Sequence, residues 1–260
     1  MEKTTTETTK QEIKQSVSFS YHFDEIIDTI KHLSEISLKA TEKGIEIYGT
    51  DISNTMMTEV FIDRERLGNY NLIKEISLNL DVNYIKILKR FCLLKAYIYQ
   101  NLMQFETNNT KINIPVFERE PREKPKLDLK KAVSFDLSLT DLRKTIKDIE
   151  YIGADSFYLE FKKLAIFTAD GGAGIGGIDF TKSLEPYEKG ITRYEKKEDS
   201  IKVCLSRELF YNALNGMQTK VRITLGKNSP IIVENVDSDY DKIRKKVIHY
   251  IAPRYNEEDY

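Results

Sequence analysis

Apolar residues along this chain follow two spacings, one typical of helices and one typical of strands. Residues 20–51 begin with apolar positions three and four apart and continue with the alternation of half-buried strands. Residues 139–170 repeat the same plan, and residues 77–91 are matched in the same way by residues 201–217. The sequence therefore predicts two similar halves, each with two helices among many strands.

A charged segment that contains Pro121 and Pro125 separates the two halves. Proline blocks both helical and ladder hydrogen bonds, so we expect a semi-extended connector there. Strand follows strand without regular βαβ alternation, and the predicted fold class is therefore α+β, with antiparallel sheets that carry helices on one side. The predicted segments are a polar tail (1–15), an N-terminal domain (16–117), the connector (118–132), a C-terminal domain (133–255) and an acidic tail (256–260).

Composition adds few constraints. The 260 residues are 40% hydrophobic and 31% charged, which is ordinary for a globular protein. The formal net charge of −1 gives no sign of a nucleic-acid partner, so only a local arrangement of charge can provide one. Cys92 and Cys204 do not form a disulfide framework, which favours a reducing compartment. We find no apolar run of membrane-spanning length and predict no membrane association.

Basic residues recur on the predicted helices of both halves. Spacings of three and four place them opposite the apolar stripe of each helix. Cations without aromatic stacking platforms are typical of phosphate contact without base reading. An ordinary solvated surface is the alternative, but recurrence in both halves of a near-neutral chain favours a functional face. These residues are Lys86, Lys89, Arg90, Arg143, Lys144, Lys147, Arg207 and Lys220.

The glycine-rich segment 171–177 (GGAGIGG) contains the spacing of a dinucleotide-binding loop. Such a loop needs a helix that begins at its last glycine. Here Ile178 and Phe180 alternate like strand residues after Gly177, so a hairpin turn is favoured. A small enzyme that holds a phosphorylated ligand at this loop is the alternative from another class of protein.

Other candidates for chemistry are few. His22, His32 and His249 do not have metal-ligand spacing, so no metal and no cofactor are predicted. Asp51 and Asp170 end matching strands, and the repeat puts them at equivalent places in different halves rather than in one pocket. Both are interpreted as turn residues. No catalytic residue is predicted, and we expect the protein not to be an enzyme.

Three stretches give the chain a resemblance to a known family: KGIEIYGTD (43–51), YIKILKR (84–90) and YIAPR (250–254). With the order of elements over residues 16–255, they resemble the proliferating cell nuclear antigen (PCNA) family of sliding DNA clamps, most of all its archaeal and viral members. That family forms a closed trimeric ring of six such domains, with helices lining the hole. The resemblance implies a processivity factor that encircles double-stranded DNA without sequence preference.

The resemblance also implies that the basic face points at DNA, with Lys31 added to the residues above. There are departures, because Asp24, Glu25 and Asn215 stand where lysine is common in the family. A ring of this chain would therefore hold DNA with fewer charges. Whether it is a homotrimer or one subunit of a heterotrimeric or checkpoint-type clamp stays open. Its location would be cytoplasmic in an archaeon, or the host cell or nucleus for a viral or eukaryotic source.

In the family, the connector and the C-terminal segment frame an apolar pocket for short peptides of DNA polymerase, flap endonuclease, DNA ligase and the clamp loader. Such a groove accepts an aromatic-anchored peptide. Thr50 and Thr55 make its floor more polar than expected here. The matching residues are Thr50, Thr55, Met57, Leu127, Leu129, Pro230, Tyr250, Ile251, Ala252 and Pro253.

The resemblance gives the segment after the glycines a role in assembly. Strand 177–183 would pair with strand 111–117 of a neighbouring subunit, which closes the ring and removes both exposed edges. The apolar residues expected at this interface are Ile112, Ile114, Ile178 and Phe180.

Overall fold

A computed structural model describes residues 15–91, 93–99, 101–117, 124–171, 177–194, 200–236 and 245–254. Within these ranges each half of the chain has nine strands and two α-helices in the same order: one strand, a helix, five strands, a helix and three strands. The first half comprises β1 (Val17–Tyr21), α1 (Asp24–Ile30), β2 (Glu35–Thr41), β3 (Gly44–Thr50), β4 (Met56–Asp63), β5 (Gly68–Leu72), β6 (Ile76–Asp81), α2 (Val82–Ile85), β7 (Leu94–Ile98), β8 (Leu102–Glu106) and β9 (Lys111–Pro115). The second half comprises β10 (Val133–Ser138), α3 (Leu139–Tyr151), β11 (Ser156–Phe161), β12 (Ala165–Gly171), β13 (Ile178–Leu184), β14 (Thr192–Arg193), β15 (Ile201–Ser206), α4 (Arg207–Ala213), β16 (Lys220–Leu225), β17 (Ile231–Val236) and β18 (Lys245–Ile251).

The strands form three antiparallel sheets. Their orders are β5-β1-β7-β8-β9, β14-β10-β16-β17-β18-β4-β3-β2-β6 and β13-β12-β11-β15. The nine-stranded sheet crosses from one half to the other through the β18–β4 pair, in which His249 lies opposite Thr58. The predicted α+β fold of antiparallel sheets is confirmed.

The duplication extends to the pairing of the strands. The order β5-β1-β7-β8-β9 in the first half is repeated as β14-β10-β16-β17-β18 in the second, and β4-β3-β2-β6 is repeated as β13-β12-β11-β15. The halves differ at one joint. Strand β18 pairs with β4, whereas their equivalents, β9 and β13, are both sheet edges.

Buried apolar residues fix the helices of the first half. Ile26, Ile27 and Ile30 of α1, and Phe23 just before it, are at most 5% exposed, as their spacing predicts. Asp81 caps α2, because its carboxylate accepts a hydrogen bond from the Asn83 amide.

The second helix differs from the prediction beyond its first turn. It is α-helical only over Val82–Ile85 and continues as a 3-10 helix over Lys86–Arg90. Its buried residues Val82, Ile85 and Leu88 are three apart, which matches the three residues per turn of a 3-10 helix.

In the second half, α3 begins at Ser138, whose hydroxyl accepts a hydrogen bond from the Asp141 amide. It ends at Gly153, which has a φ of +78° and donates its N–H to the Glu150 carbonyl. Strand β13 begins directly after Gly177, so the chain lacks the helix that a dinucleotide-binding loop requires. Residues 172–176, Cys92, residues 1–14 of the predicted N-terminal tail and the whole predicted C-terminal tail (256–260) lie outside the described residues.

The helices form one row that crosses the boundary between the halves. Helix α1 packs against the 3-10 helix at Lys86–Arg90, and α3 packs against α4. Gly216, just beyond α4, closes the row against Thr29 of α1, because a Cβ added at Gly216 would lie 1.9 Å from the Thr29 hydroxyl oxygen. The helical surface is therefore continuous from the second helix through α1 and α4 to α3.

Candidate nucleic-acid interface and peptide groove

The helix face of the second half presents free lysines. Lys144 and Lys147 are exposed on the side of α3 opposite the buried Leu142 and Ile146. Among the described residues neither lysine forms an ion pair. Arg143, which precedes Lys144, is half-buried and donates from Nη2 to the Leu214 carbonyl at 3.0 Å, which ties α3 to the end of α4.

The helix face of the first half is partly neutralised by Asp28. Its carboxylate lies 2.7 Å from Lys89 Nζ and 3.4 Å from Lys31 Nζ. Partial burial alone would raise the Asp28 pKa, but the Lys89 hydrogen bond and the two lysine charges outweigh it and hold the pKa below its usual value. Lys86 donates to Asn83 at 3.1 Å, and Arg90 is exposed.

Arg207 and Lys220, which were also predicted to contact DNA, likewise have partners within the chain. Arg207 lies 3.0 Å from the Glu150 carboxylate and donates from Nε to the Ala154 carbonyl at 3.0 Å, so it holds the segment that follows α3. Lys220 lies on strand β16, with its ammonium 4.4 Å from the centre of the Tyr187 ring. Spacing along a helix predicts which side a cation occupies and does not predict such partners.

The structure corrects the view that this face lacks aromatic residues. Tyr84 on α2 is 51% exposed, Tyr151 at the end of α3 is 85% exposed, and Tyr211 on α4 is 38% exposed. Tyr151 follows Lys144 by two helical turns and lies on the same side of α3. A tyrosine at helical spacing is indistinguishable in sequence from a core aromatic, and for this reason these three were missed.

A tight turn between β3 and β4 uses the polar residues of the predicted groove. The Asp51 carboxylate accepts hydrogen bonds from the Thr55 amide at 2.7 Å, the Thr55 hydroxyl at 2.8 Å and the Met56 amide at 2.8 Å. Thr50 donates to Asn54 at 3.1 Å. Asp51 is therefore a turn residue, as predicted, and the threonine hydroxyls have partners inside the turn. The same prediction was wrong for Asp170, which lies within β12 opposite Asp179.

Neighbouring strand ends bring the other groove residues to this turn. Tyr250 lies opposite Met57, and the Ala252 amide donates to the Thr55 carbonyl at 2.8 Å. Met57 is 5% exposed and Ile251 is fully buried, so these two support the groove from below and do not line an open surface. The half-buried members are Thr50, Thr55, Pro230, Tyr250, Ala252 and Pro253.

The connector is held at both of its described ends. The Lys130 amide donates to the Ser229 hydroxyl at 3.2 Å, which places this end beside Pro230. At the other end, the Lys124 ammonium lies 2.6 Å from Oε2 of Glu59 on β4. Leu127 and Leu129 are half-buried between the two attachments.

The four predicted interface residues lie on the two unpaired edge strands. Ile178 on β13 is 56% exposed, and Phe180 and Ile112 are half-buried. Ile114 on β9 is 2% exposed and packs in the core of its own half. Two other edges, β6 and β15, are each covered at one point by an isolated bridge, whereas no such bridge covers β9 or β13 among the described residues.

Two histidines that are far apart in sequence share one hydroxyl at the joint between the halves. Thr58 Oγ1 lies 3.0 Å from His32 Nε2 and 2.9 Å from His249 Nδ1. Burial lowers the pKa of His32 to about 4 and holds the pKa of His249 well below its usual value. The outer nitrogens of both rings are buried without hydrogen-bond partners within the described residues. Both rings are therefore neutral near pH 7.

The described residues contain no cluster of three or more His, Cys, Asp or Glu side chains that could hold a metal ion. No helix among them combines the length and the apolar character needed to cross a membrane.

Comparisons by sequence find neither a matching family model nor a matching curated protein. Solved structures do match. PCNA from Thermococcus kodakaraensis superimposes with a TM-score of 0.76 at 16% identity, covering 92% of this chain and 100% of that one. A. fulgidus PCNA, solved with the C-terminal region of FEN-1 bound, gives 0.75 at 18% identity, with 93% and 99% covered. The PCNA2-PCNA3 complex from Sulfolobus tokodaii gives 0.72 at 18% identity, with 91% and 99% covered. The chain therefore has the fold of the PCNA sliding clamps.

Proposed function

We propose that this protein is a sliding clamp that encircles double-stranded DNA as a ring of three chains and serves as a processivity factor in DNA replication and repair. The observation that supports this best is the interrupted symmetry of the sheets. Within the chain, β18 and β4 join a five-stranded unit to a four-stranded unit. The equivalent strands β9 and β13 end the other two units unpaired.

Pairing β9 of one chain with β13 of the next would build a second nine-stranded sheet on the pattern of the first. It would remove two long exposed edges, which proteins otherwise cover to avoid uncontrolled pairing. Because the two surfaces differ, the contact is head-to-tail, and such contacts form rings when the rotation closes. The ring is expected to contain three chains, as the resemblance to sliding clamps implies.

The row of helices supplies the surface proposed to face DNA. Lys86, Arg90, Lys144 and Lys147 are exposed there, and their charge is local in a chain whose formal net charge is −1. Lysine and arginine bind phosphates without reading bases, so attachment would be independent of sequence and sensitive to salt.

Partner enzymes are proposed to bind at the groove between the connector and the C-terminal segment. Support comes from the half-buried residues that meet there and from the A. fulgidus PCNA structure, which carries the C-terminal region of FEN-1. A flap endonuclease, a DNA polymerase, a DNA ligase and a clamp loader are the expected partners. No catalytic step is assigned to the chain itself. It would act in the cytoplasm of an archaeon or, for a viral or eukaryotic source, in the host cell or nucleus.

A specialised heterotrimeric clamp is the second candidate, because one similar structure is a complex of two different PCNA chains. Light scattering over a concentration series separates the two. A mass of about three chains supports the homotrimer, and a monomer that assembles only with related clamp chains supports the heterotrimer. A monomer that assembles with neither, and that is not retained on circular DNA, contradicts both.

The interface is tested by Ile178→Asp, which changes an edge residue that is 56% exposed and leaves the core intact. We expect the oligomer to dissociate without a loss of thermal stability in the monomer. Ile191→Asp, at a residue that is 38% exposed and off both edge strands, is the control.

A further inference from the structure

A cavity of about 880 Å³ lies between the connector and the outer face of the nine-stranded sheet. Strands β2, β3, β4 and β18 provide its floor, and Lys124 reaches over it from the connector. Tyr250 borders this cavity as well as the proposed peptide groove, so the two are adjacent.

Two acidic residues line the cavity, and Glu59 is the less exposed of them, since Glu46 is exposed. The Glu59 side chain is 17% exposed, and its Oε2 accepts a hydrogen bond from the Lys124 ammonium at 2.6 Å. Its other oxygen, Oε1, is buried and has no hydrogen-bond partner within the described residues. The Tyr250 hydroxyl also neighbours this carboxylate: burial, the Glu59 charge and a hydrogen bond to Glu59 raise the pKa of Tyr250 to about 12. The hydroxyl of Tyr48, directly opposite Glu59 on β3, is buried and, like Oε1, lacks a partner within the described residues.

The neighbouring charges are in different settings. Lys246 lies 3.6 Å from Glu234 on the adjacent strand, whereas Lys39 and Glu46 are both exposed to solvent at opposite positions of the β2–β3 pair. Glu59, by contrast, forms its ion pair with a lysine of the connector and not with a residue of the sheet. That cation, Lys124, is 54% exposed and belongs to the connector, so little free energy holds it in place.

The chemistry of the half-satisfied carboxylate indicates what would bind in place of Lys124. A guanidinium group presents several N–H donors in one plane and satisfies both oxygens of a carboxylate at once, whereas an ammonium acts as a single point charge. An anionic ligand would be repelled by the negative charge of Glu59, and an apolar ligand would leave Oε1 and the Tyr48 hydroxyl without hydrogen bonds.

We propose that this cavity is a subsite for an arginine side chain of a partner protein, with Glu59 as its carboxylate ligand and Lys124 as a displaceable internal occupant. The identity of the partner rests on the proposed function, since the arginine would extend from the segment bound in the groove. The subsite itself follows from the cavity and its unpaired polar atoms.

Titration of the intact protein with argininamide, followed by amide chemical shifts, tests the subsite directly. We expect binding that Glu59→Gln weakens about ten-fold, since a charge-assisted bidentate pair becomes a neutral one. Lys124→Ala should strengthen binding several-fold by removing the competitor, and lysinamide should bind more weakly than argininamide. Glu234→Gln is the matched control, because Glu234 is 21% exposed on the same sheet face and pairs with Lys246. Equal binding by wild type and Glu59→Gln, or by the two amides, would overturn the proposal.

Two peptides with an aromatic anchor, identical except that one has an arginine where the other has a glutamine, test whether the subsite and the groove bind the same partner. The arginine peptide should bind about ten-fold more tightly to the wild type and show no advantage with Glu59→Gln. If both peptides bind equally, the groove stands and the subsite is wrong. If neither peptide binds while argininamide does, the subsite stands and the groove is wrong.

Discussion

The shared hydroxyl of Thr58 predicts that acid weakens the joint between the two halves. The hydroxyl has one proton, so it donates to one ring while the other ring donates to it, and two neutral histidines satisfy this chain of hydrogen bonds. His249 is fully buried on β18, and Thr58 lies opposite it on β4. A charge on His32 would be buried near Lys31 and Asp51, and a charge on His249 would be buried next to the His32 ring.

The magnitude follows from the lowered pKa of His32. In the folded protein this pKa is about 4, against 6.5 for an unperturbed histidine. The unfolded chain therefore binds the proton first, and stability is fully present above pH 6.5 and falls as the pH drops toward 4. Each unit of pKa difference corresponds to about 1.4 kcal/mol, so the free energy of unfolding should fall by about 2 kcal/mol near pH 5 from His32 alone. His249 adds to the loss in the same direction.

Urea unfolding followed by circular dichroism near pH 7.5 and pH 5 measures this loss. The double variant His32→Gln, His249→Asn keeps amide groups near the positions of the ring nitrogens that meet Thr58, and it cannot titrate. We expect its stability to depend much less on pH than that of the wild type. His22→Asn, a change at an exposed histidine, is the control and should behave like the wild type. The reasoning is refuted if the wild type and the double variant lose equal stability between the two pH values.

Three further predictions follow from other parts of the molecule. Charge reversal on the helix face, by changing Lys86, Lys89, Lys144 and Lys147 to Glu, should abolish clamp-dependent stimulation of a polymerase and leave the oligomer intact. Unchanged stimulation would contradict the proposed DNA face. Gly216→Ala should lower the free energy of unfolding by more than the ~1 kcal/mol expected for a positive φ, because the added Cβ would collide with Thr29. Gly153→Ala, at φ +78° with open space around it, should cost only the backbone strain. Equal losses for the two variants in thermal unfolding would refute the contact between Gly216 and Thr29. Asp136→Asn should lower the free energy of unfolding by about 2 kcal/mol in urea, because Asp136 is 5% exposed and accepts two hydrogen bonds from Arg222, at 2.7 and 3.0 Å. A loss below about 0.5 kcal/mol would show that this ion pair is dispensable.

The fold was accessible from the sequence because its signal is local and occurs twice. The alternation of apolar residues and the repeat of residues 20–51 by residues 139–170 predict strands and helices that the structure confirms. The second helix was predicted with the wrong geometry, because a spacing of three at Val82, Ile85 and Leu88 satisfies both helix types over a short run.

The site was less accessible, because its determinants are contacts between distant residues. His249 meets Thr58 across 191 positions, and no pattern in the sequence joins them. The partners of Arg207 and the burial of Met57 depend on how elements pack, which periodicity does not report. Glu59 was missed for the same reason, since its place beneath the connector follows from the path of residues 124–130 and not from its neighbours in sequence.

The two kinds of strand pairing in the proposed ring would differ in how readily they re-form after the strands separate. The β18–β4 joint has both strands on one polypeptide, so after any local separation the strands remain at a high effective concentration and pair again. A β9–β13 seam has only main-chain hydrogen bonds and side-chain contacts between separate molecules, and its closure depends on protein concentration. The ring would therefore open for DNA at a seam and never inside a chain, and dilution alone would release the clamp from a closed circle.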